Sequence, residues 1–145
     1  LGERDEIAMM QPYLPEIELN GETAAVLFGG RVAYTLSKRA FLPPGEVAPA
    51  DEAGIALAMH DDDLVQLADA HPAELELAEK TIAWVAARFG QMPLFARVDM
   101  VLTNSGQPVL MEVELIEPCL YLGKAEALET PGAEAFAAAV IAELG

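Results

Sequence analysis

The sequence predicts an α+β domain, a mostly antiparallel sheet with helices on one face, and three observations lead there. ETAAVLF and RVAYTLSKR are strand-like runs on either side of Gly29-Gly30, a hairpin signal. From Pro72 to Phe89, apolar residues recur at three- and four-residue steps, the period of a helix with one buried side. Phe95 to Leu122, FARVDMVLTNSGQPVLMEVELIEPCLYL, contains two further strands joined by a polar turn, and a second amphipathic helix closes the chain. Helices laid against a sheet made of hairpins define the α+β class.

Taken in order, Leu1 to Glu6 is polar and expected to fray. Ile7 to Gln11, IAMMQ, is a short apolar run expected as a buried strand. Pro12-Tyr13-Leu14-Pro15 stops it, because proline offers a ladder no N–H. Glu16 to Gly21 is an acidic loop, and the Gly-Gly hairpin then runs from Glu22 to the adjacent cations Lys38 and Arg39. Phe41 to Gly54, with Pro43, Pro44, Gly45 and Pro49, is irregular. In HDDDLVQLADA, within Met59 to Ala70, an Asp is placed to cap a short helix. Asp61, Asp62 and Asp63 are consecutive and point in different directions, so they suit a solvated helix start better than a metal. His60 and His71 have no Cys or His partner at ligand spacing and are structural or surface residues.

The helix over 72–89 buries Leu75, Ala78, Ile82, Val85 and Phe89, with Trp84 used in packing and Gly90 placed to end it. The second hairpin turns through Asn104-Ser105-Gly106. The last helix, over 131–144, uses Ala135, Phe136, Ala139, Val140 and Leu144. Residues 1–145 suffice for one domain, and no internal repeat or low-complexity linker divides them.

Charge excludes some partners. With 24 Asp and Glu against 8 Lys and Arg, the chain lacks the basic face that a nucleic-acid backbone or an anionic membrane requires. Nucleotide binding stays open, since a metal can supply positive charge locally. No apolar run approaches the ~20 residues that cross a bilayer, and the N-terminus has no basic region followed by an apolar signal core. The single cysteine, Cys119, rules out an internal disulfide and fits a reducing cytoplasm. Beside Leu120 and Tyr121 it is expected as a buried thiol.

The second hairpin carries acid where a strand that only built core would be apolar. Asp99 follows Arg97 by two residues, and Glu114 follows Glu112 by two. Alternate residues of a strand share a face, so pairing of the two strands can bring three carboxylates together near one arginine. The flanking Phe95, Val98, Met100, Val101, Val109, Leu110, Met111 and Val113 imply a sheet with a buried face, where unpaired acids are costly. Clustered carboxylates repel unless a cation lies between them, and oxygen-only ligation suits Mg²⁺, Mn²⁺ or Ca²⁺. The plainer alternative is an edge strand whose acids face solvent.

ARVD followed by LMEVELIEP resembles the metal-binding end of ATP-grasp ligases. MMQPYLPEIELNGETAAVLFGGRVAYTLSKR resembles their adenine-binding hinge and the hairpin after it. The QPYLP hinge and the EVELIEP tail are most similar to the RimK-like branch that contains the cyclo-ligase of cycloserine biosynthesis. The resemblance covers nearly the whole chain except about residues 40 to 70, and implies its C-terminal ATP-grasp subdomain.

It also implies ATP and Mg²⁺ (or Mn²⁺) as cofactors. Gln11, Pro12, Tyr13 and Leu14 would line the adenine pocket, and Glu22 or Glu18 would take the ribose hydroxyls. Lys38 and Arg39 would meet phosphate, and Asp99, Glu112 and Glu114 would hold the metal. Arg97 would stabilise the transferring group, as a small-molecule carboxylate is activated to an acyl phosphate that an amine or similar nucleophile attacks.

Three departures follow. Glu114 stands where many of these ligases have Asn, residues 40 to 56 lack the expected Gly-Asp-Phe-Arg type of segment, and the chain begins at the hinge. The family's N-terminal domain and lid would come from a missing N-terminal half or a second chain, and the isolated chain would be inactive. The alternative is a non-catalytic module derived from the same fold and used for binding or homo-oligomerisation. A simple Ca²⁺ or Mg²⁺ domain is disfavoured because no EF-hand spacing is present.

Overall fold

A computed structural model describes residues 10–40 and 64–145 of the chain. The Leu1 to Glu6 segment, most of the expected strand over 7–11, the loop over 41–54, His60 and the three consecutive Asp lie outside the described residues. The elements are α1 (Glu16–Asn20), β1 (Glu22–Phe28), β2 (Arg31–Lys38), β3 (Val65–Leu67), α2 (Pro72–Phe89), β4 (Phe95–Leu102), β5 (Pro108–Glu114), a 3₁₀ turn (Leu122–Ala125) and α3 (Gly132–Leu144). The strands form one sheet in the order β3-β2-β1-β4-β5, and every neighbouring pair is antiparallel. The class is α+β, as the sequence implies.

Both hairpins fall where turn chemistry puts them. Gly29 and Gly30 have φ of +54° and +81°, the two left-handed residues of a tight hairpin turn. Gly106, at φ +77°, closes the second turn. In α2 the helix start is set by His71, whose Nδ1 accepts from the Ala73 N–H at 3.2 Å while Glu74 Oε2 accepts from the His71 N–H at 2.9 Å. This reciprocal capping satisfies two N–H groups that a helix start otherwise leaves open. Gly90, left-handed at φ +76°, ends the helix.

Some expectations fail for identifiable reasons. Glu16–Asn20 is a short helix rather than a loop: Pro15 supplies a pre-set φ of −65°, and Glu16 and Glu18 complement the N-terminal dipole. Val65–Leu67 is a strand where a capped helix was expected, because the open edge of β2 offers Leu36–Lys38 as pairing partners. Trp84, two residues beyond Ile82 and so well round the helix from the buried stripe, is 66% exposed instead of packed. Phe89 is exposed beneath the Arg88 guanidinium, 5.6 Å from its ring centroid. Leu144 is exposed as well, while Ala135, Phe136 and Ala139 do pack.

The layers also differ from the expected single helical face. α2 covers Ala25, Leu27, Ala96, Val98 and Met100 through Ala78 and Ile82. α3 and the 3₁₀ turn cover the opposite side, Ala24, Val26, Phe28, Tyr34 and Leu36. The reason lies in β1, which is buried at every position from Ala24 to Phe28 and so needs apolar cover on both faces. On the α3 side the packing is aromatic, with Phe136 5.4 Å from Phe28 and 6.0 Å from Phe95, centroid to centroid. Among the described residues, no helix is long and apolar enough to cross a membrane.

Gly21 links α1 to β1 at φ +73°, ψ −165°, a backbone region essentially reserved for glycine. A Cβ there would lie 2.4 Å from the Lys38 carbonyl oxygen, which belongs to the neighbouring strand. Gly21→Ala is expected to cost about 3 kcal/mol or more, from backbone strain plus the clash, measured as a lowered urea midpoint.

Candidate functional site

The sheet face under α3 has two halves. One carries the aromatic packing; the other, at the opposite end of the same strands, carries six charged side chains. The register puts Glu22 of β1 opposite Lys38 of β2, Asp99 of β4 opposite Glu112 of β5, and Arg97 opposite Glu114. Period-2 alternation then sends all six to one side. A β-bulge between Asp99 and Met100 places the extra residue, Met111, on β5, so that Leu110 sits opposite Met100 and Glu112 opposite Asp99.

Asp99, 1% exposed, is the centre of this group. Arg97 donates to it through two nitrogens, Nε to Oδ1 at 2.9 Å and Nη2 to Oδ2 at 2.9 Å. The same Nη2 donates to Glu114 Oε1, and Nη1 donates to the Cys119 carbonyl at 3.2 Å. Lys38 Nζ donates to Asp99 Oδ2 at 2.7 Å and to Glu22 Oε2 at 2.9 Å. Burial alone would lower the pKa of both bases, but the neighbouring carboxylates outweigh it and raise them, so both stay charged.

Four carboxylates, Glu22, Asp99, Glu112 and Glu114, thus share two cations, and the group stays negative. The excess falls on Glu112, which is exposed on the edge strand β5; partial desolvation by its neighbours first, and then repulsion from Glu114 and Asp99, raise its pKa. One oxygen from each of Asp99, Glu112 and Glu114 can be chosen so that all lie within 4.8 Å of one another. Three hard oxygen donors around a surplus of negative charge fit a divalent cation such as Mg²⁺ or Mn²⁺.

Tyr121 and the segment before it close the side of Arg97. Tyr121, left-handed at φ +52°, places its ring 5.8 Å from the guanidinium carbon. Tyr34 donates its hydroxyl to the Leu120 carbonyl at 2.7 Å, and burial, with a smaller contribution from Cys119, pushes its phenol up to about 12. Cys119 is exposed, not the buried thiol expected. Its backbone carbonyl is what holds Arg97, and a backbone acceptor carries no residue-type signal in a sequence.

Of the expected nucleotide residues, Gln11, Pro12 and Tyr13 are exposed and Leu14 is half-buried. Gln11 joins Glu22, Asp99, Met111 and Glu112 around a recess of about 220 Å³, and its Nε2 donates to the Met111 carbonyl across a long 3.5 Å. Tyr13, Glu18, Glu22, Lys38 and Arg39 are brought together around a second, mostly apolar recess of about 240 Å³. The Tyr13 hydroxyl donates to Glu18, which raises the phenol's pKa. Pro12 and Leu14 line neither recess. Larger recesses of about 370 and 400 Å³ lie elsewhere, one by Tyr34 and Leu128 and one by the start of α2, but neither meets the carboxylate trio. Sequence reasoning missed that Lys38 pairs with Asp99: cross-strand register, which unites residues 61 apart, decides it.

Fold and charged cluster together bear out the likeness to the ATP-grasp ligase superfamily. The chain is similar to the cycloserine biosynthesis protein DcsG of Streptomyces lavendulae, with 30% identity over 116 residues, which is 79% of this chain and 36% of that protein. The crystal structure of D-cycloserine synthetase DcsG superposes with a TM-score of 0.76 at 29% identity, covering 93% of this chain and 42% of that one. The ATP-grasp ligase PsnB, complexed with a minimal precursor, gives a TM-score of 0.43 at 11% identity over 82% of this chain and 35% of its own. The chain thus spans less than half the length of these relatives. No family model matches it.

Two outcomes follow from the electrostatics. A carboxylate whose folded pKa is raised binds protons in the native state that the unfolded chain has already released, so its ionisation lowers stability as pH rises through that window. Glu112→Gln is therefore expected to raise the melting temperature at neutral pH in metal-free buffer, with the gain fading as acid protonates Glu112 in the parent. Arg97→Met leaves Asp99 buried with half its partners gone and is expected to cost about 3–5 kcal/mol, measured by denaturant titration.

Proposed function

We propose that this chain forms the metal- and nucleotide-binding wall of an ATP-dependent ligase that joins a small-molecule carboxylate to an amine or related nucleophile through an acyl phosphate. The observation that carries the reading is the convergence of Asp99, Glu112 and Glu114 within 4.8 Å, on a face where Arg97 is fixed between two of them. Likeness to the cycloserine biosynthesis protein supports a ligase.

In this reading Asp99, Glu112 and Glu114 hold Mg²⁺ or Mn²⁺, which supplies charge neutralisation to the ATP phosphates. The chain's own residues position and compensate. Arg97, held by Asp99, Glu114 and the Cys119 carbonyl, presents a rigid guanidinium beside the transferring group. The recess by Tyr13, Glu18, Glu22, Lys38 and Arg39 takes part of the nucleotide, with Gln11 on the side nearer the metal. At about 220 and 240 Å³ the two recesses are smaller than the roughly 300–1,000 Å³ that encloses a typical ligand. Residues outside this chain, from a longer polypeptide or a second chain, complete the enclosure. A single cysteine suits a reducing, cytoplasmic setting.

A second reading, a non-catalytic module used in association, draws on the exposed apolar side chains near the hinge and the β5 edge: Met10 at 89%, Leu19 at 75%, and Val109 and Leu110. Calorimetry with Mg·ATP separates the two. The ligase reading expects weak binding that requires the metal and is lost in Asp99→Asn and in Glu112→Gln. Nucleotide binding that survives chelation, or that those variants retain in full, overturns the site assignment.

A further inference from the structure

We propose that Lys38 is an internal counter-cation of the metal site: its ammonium occupies Asp99 in the metal-free protein, and a divalent ion displaces it toward the neighbouring recess, where it can meet an anionic group. The inference rests on the reading of Asp99, Glu112 and Glu114 as metal ligands, and it assigns Lys38 a positioning role exerted through Asp99.

The acceptor capacity of Asp99 is the starting point. An ionised carboxylate offers about four lone-pair sites. Three of those on Asp99 are taken, one on Oδ1 by Arg97 Nε and two on Oδ2 by Arg97 Nη2 and Lys38 Nζ. The Glu112 carboxylate, by contrast, is exposed and accepts no hydrogen bond among the described residues. A dication entering among the three carboxylates therefore finds Glu112 open and Asp99 nearly saturated. It also meets an ammonium 2.7 Å from Asp99 Oδ2. Like charges this close, in a site where Lys38 is only 8% exposed, repel strongly.

Of the two cations on Asp99, only Lys38 is free to yield. The Arg97 guanidinium is a planar fork held at once by Asp99, Glu114 and the Cys119 carbonyl, with Tyr121 beside it. The Lys38 ammonium is held at two points on a flexible four-carbon stem, one of them Glu22, which is less buried than Asp99. Lys38 also lines the recess shared with Tyr13, Glu18, Glu22 and Arg39, so a path away from Asp99 is open to its head group. Leaving Asp99 moves the ammonium toward that recess and frees Oδ2 for the ion. The two events are linked, and by reciprocity whatever stabilises the displaced ammonium strengthens ion binding.

The test is Mn²⁺ binding to the chain alone, followed by electron paramagnetic resonance without nucleotide. Lys38→Met is expected to tighten Mn²⁺ by about tenfold, within the usual range for coupled sites. A purely structural role would leave the affinity unchanged or weaken it, and either result overturns the proposal. Should that variant fail to fold, the unsubstituted chain labelled with ¹³C at the lysine ε-carbons serves instead. Saturating Mg²⁺ is expected to move the Lys38 signal toward the position of solvent-exposed lysines, and an unmoved signal with the ion bound overturns the inference. If the parent chain takes up no Mn²⁺ and Glu112→Gln behaves identically, the metal-site reading itself falls, and this inference with it.

Discussion

The charge-assisted bonds to Asp99 are the constraint on which the site half of the sheet depends. An ionised carboxylate at 1% exposure is tolerable only if its partners arrive with good geometry. Here they come from three strands: Arg97 from two residues away on β4, Lys38 from across β1, and the Glu22 that steadies Lys38 from β1 itself. The Arg97 contacts lie within β4, but neither Lys38 contact, to Asp99 or to Glu22, survives a change of register between β1, β2 and β4. Burial of Asp99 therefore selects the same alignment that apolar packing selects on the other face, where Ala25, Leu27, Ala96, Val98 and Met100 meet α2. Two independent pressures, one electrostatic and one hydrophobic, agree on a single pairing.

The division of the α3 face follows from this. Aromatic packing of Phe28, Phe95 and Phe136 fixes one end of β1 and β4, and the polar group occupies the other end of the same strands. The charged cluster is carried on four paired strands, and beside it the Pro118 to Tyr121 segment is tied down by the Tyr34 hydroxyl and by Arg97. Such a surface suits a task that asks for fixed positions and fixed charge more than for mobility.

Much of this was legible in the sequence because it obeys simple periods. The two-residue spacing of Arg97 with Asp99, and of Glu112 with Glu114, announces shared faces. The three- and four-residue steps of Ala78, Ile82 and Val85 announce the buried side of α2. What escaped has no local signature. The strand at Val65–Leu67 exists because β2 has an unfilled edge, and α1 exists because Pro15 and Gly21 bracket five residues that a loop would also accept. The helices lie on two faces because β1 is apolar and buried from Ala24 to Phe28, a fact visible in ETAAVLF but not read as demanding cover on both sides. The pairing of Lys38 with Asp99 also escaped, since a strand-end lysine gives no hint of which carboxylate the register will bring beside it.

The surplus residue at Met111 has a further effect. Between Asp99 and Leu102 on β4 there are four residues, and between Pro108 and Glu112 on β5 there are five. The two portions of the hairpin are thus phased separately, the carboxylate portion by Asp99 and the outer portion by the turn at Thr103 to Gln107. Irregularity introduced at the tip can be absorbed at that joint before it reaches Glu112. The end of the hairpin is consequently a place where evolution, or an engineer, can lengthen or graft a loop while the acidic cluster keeps its alignment.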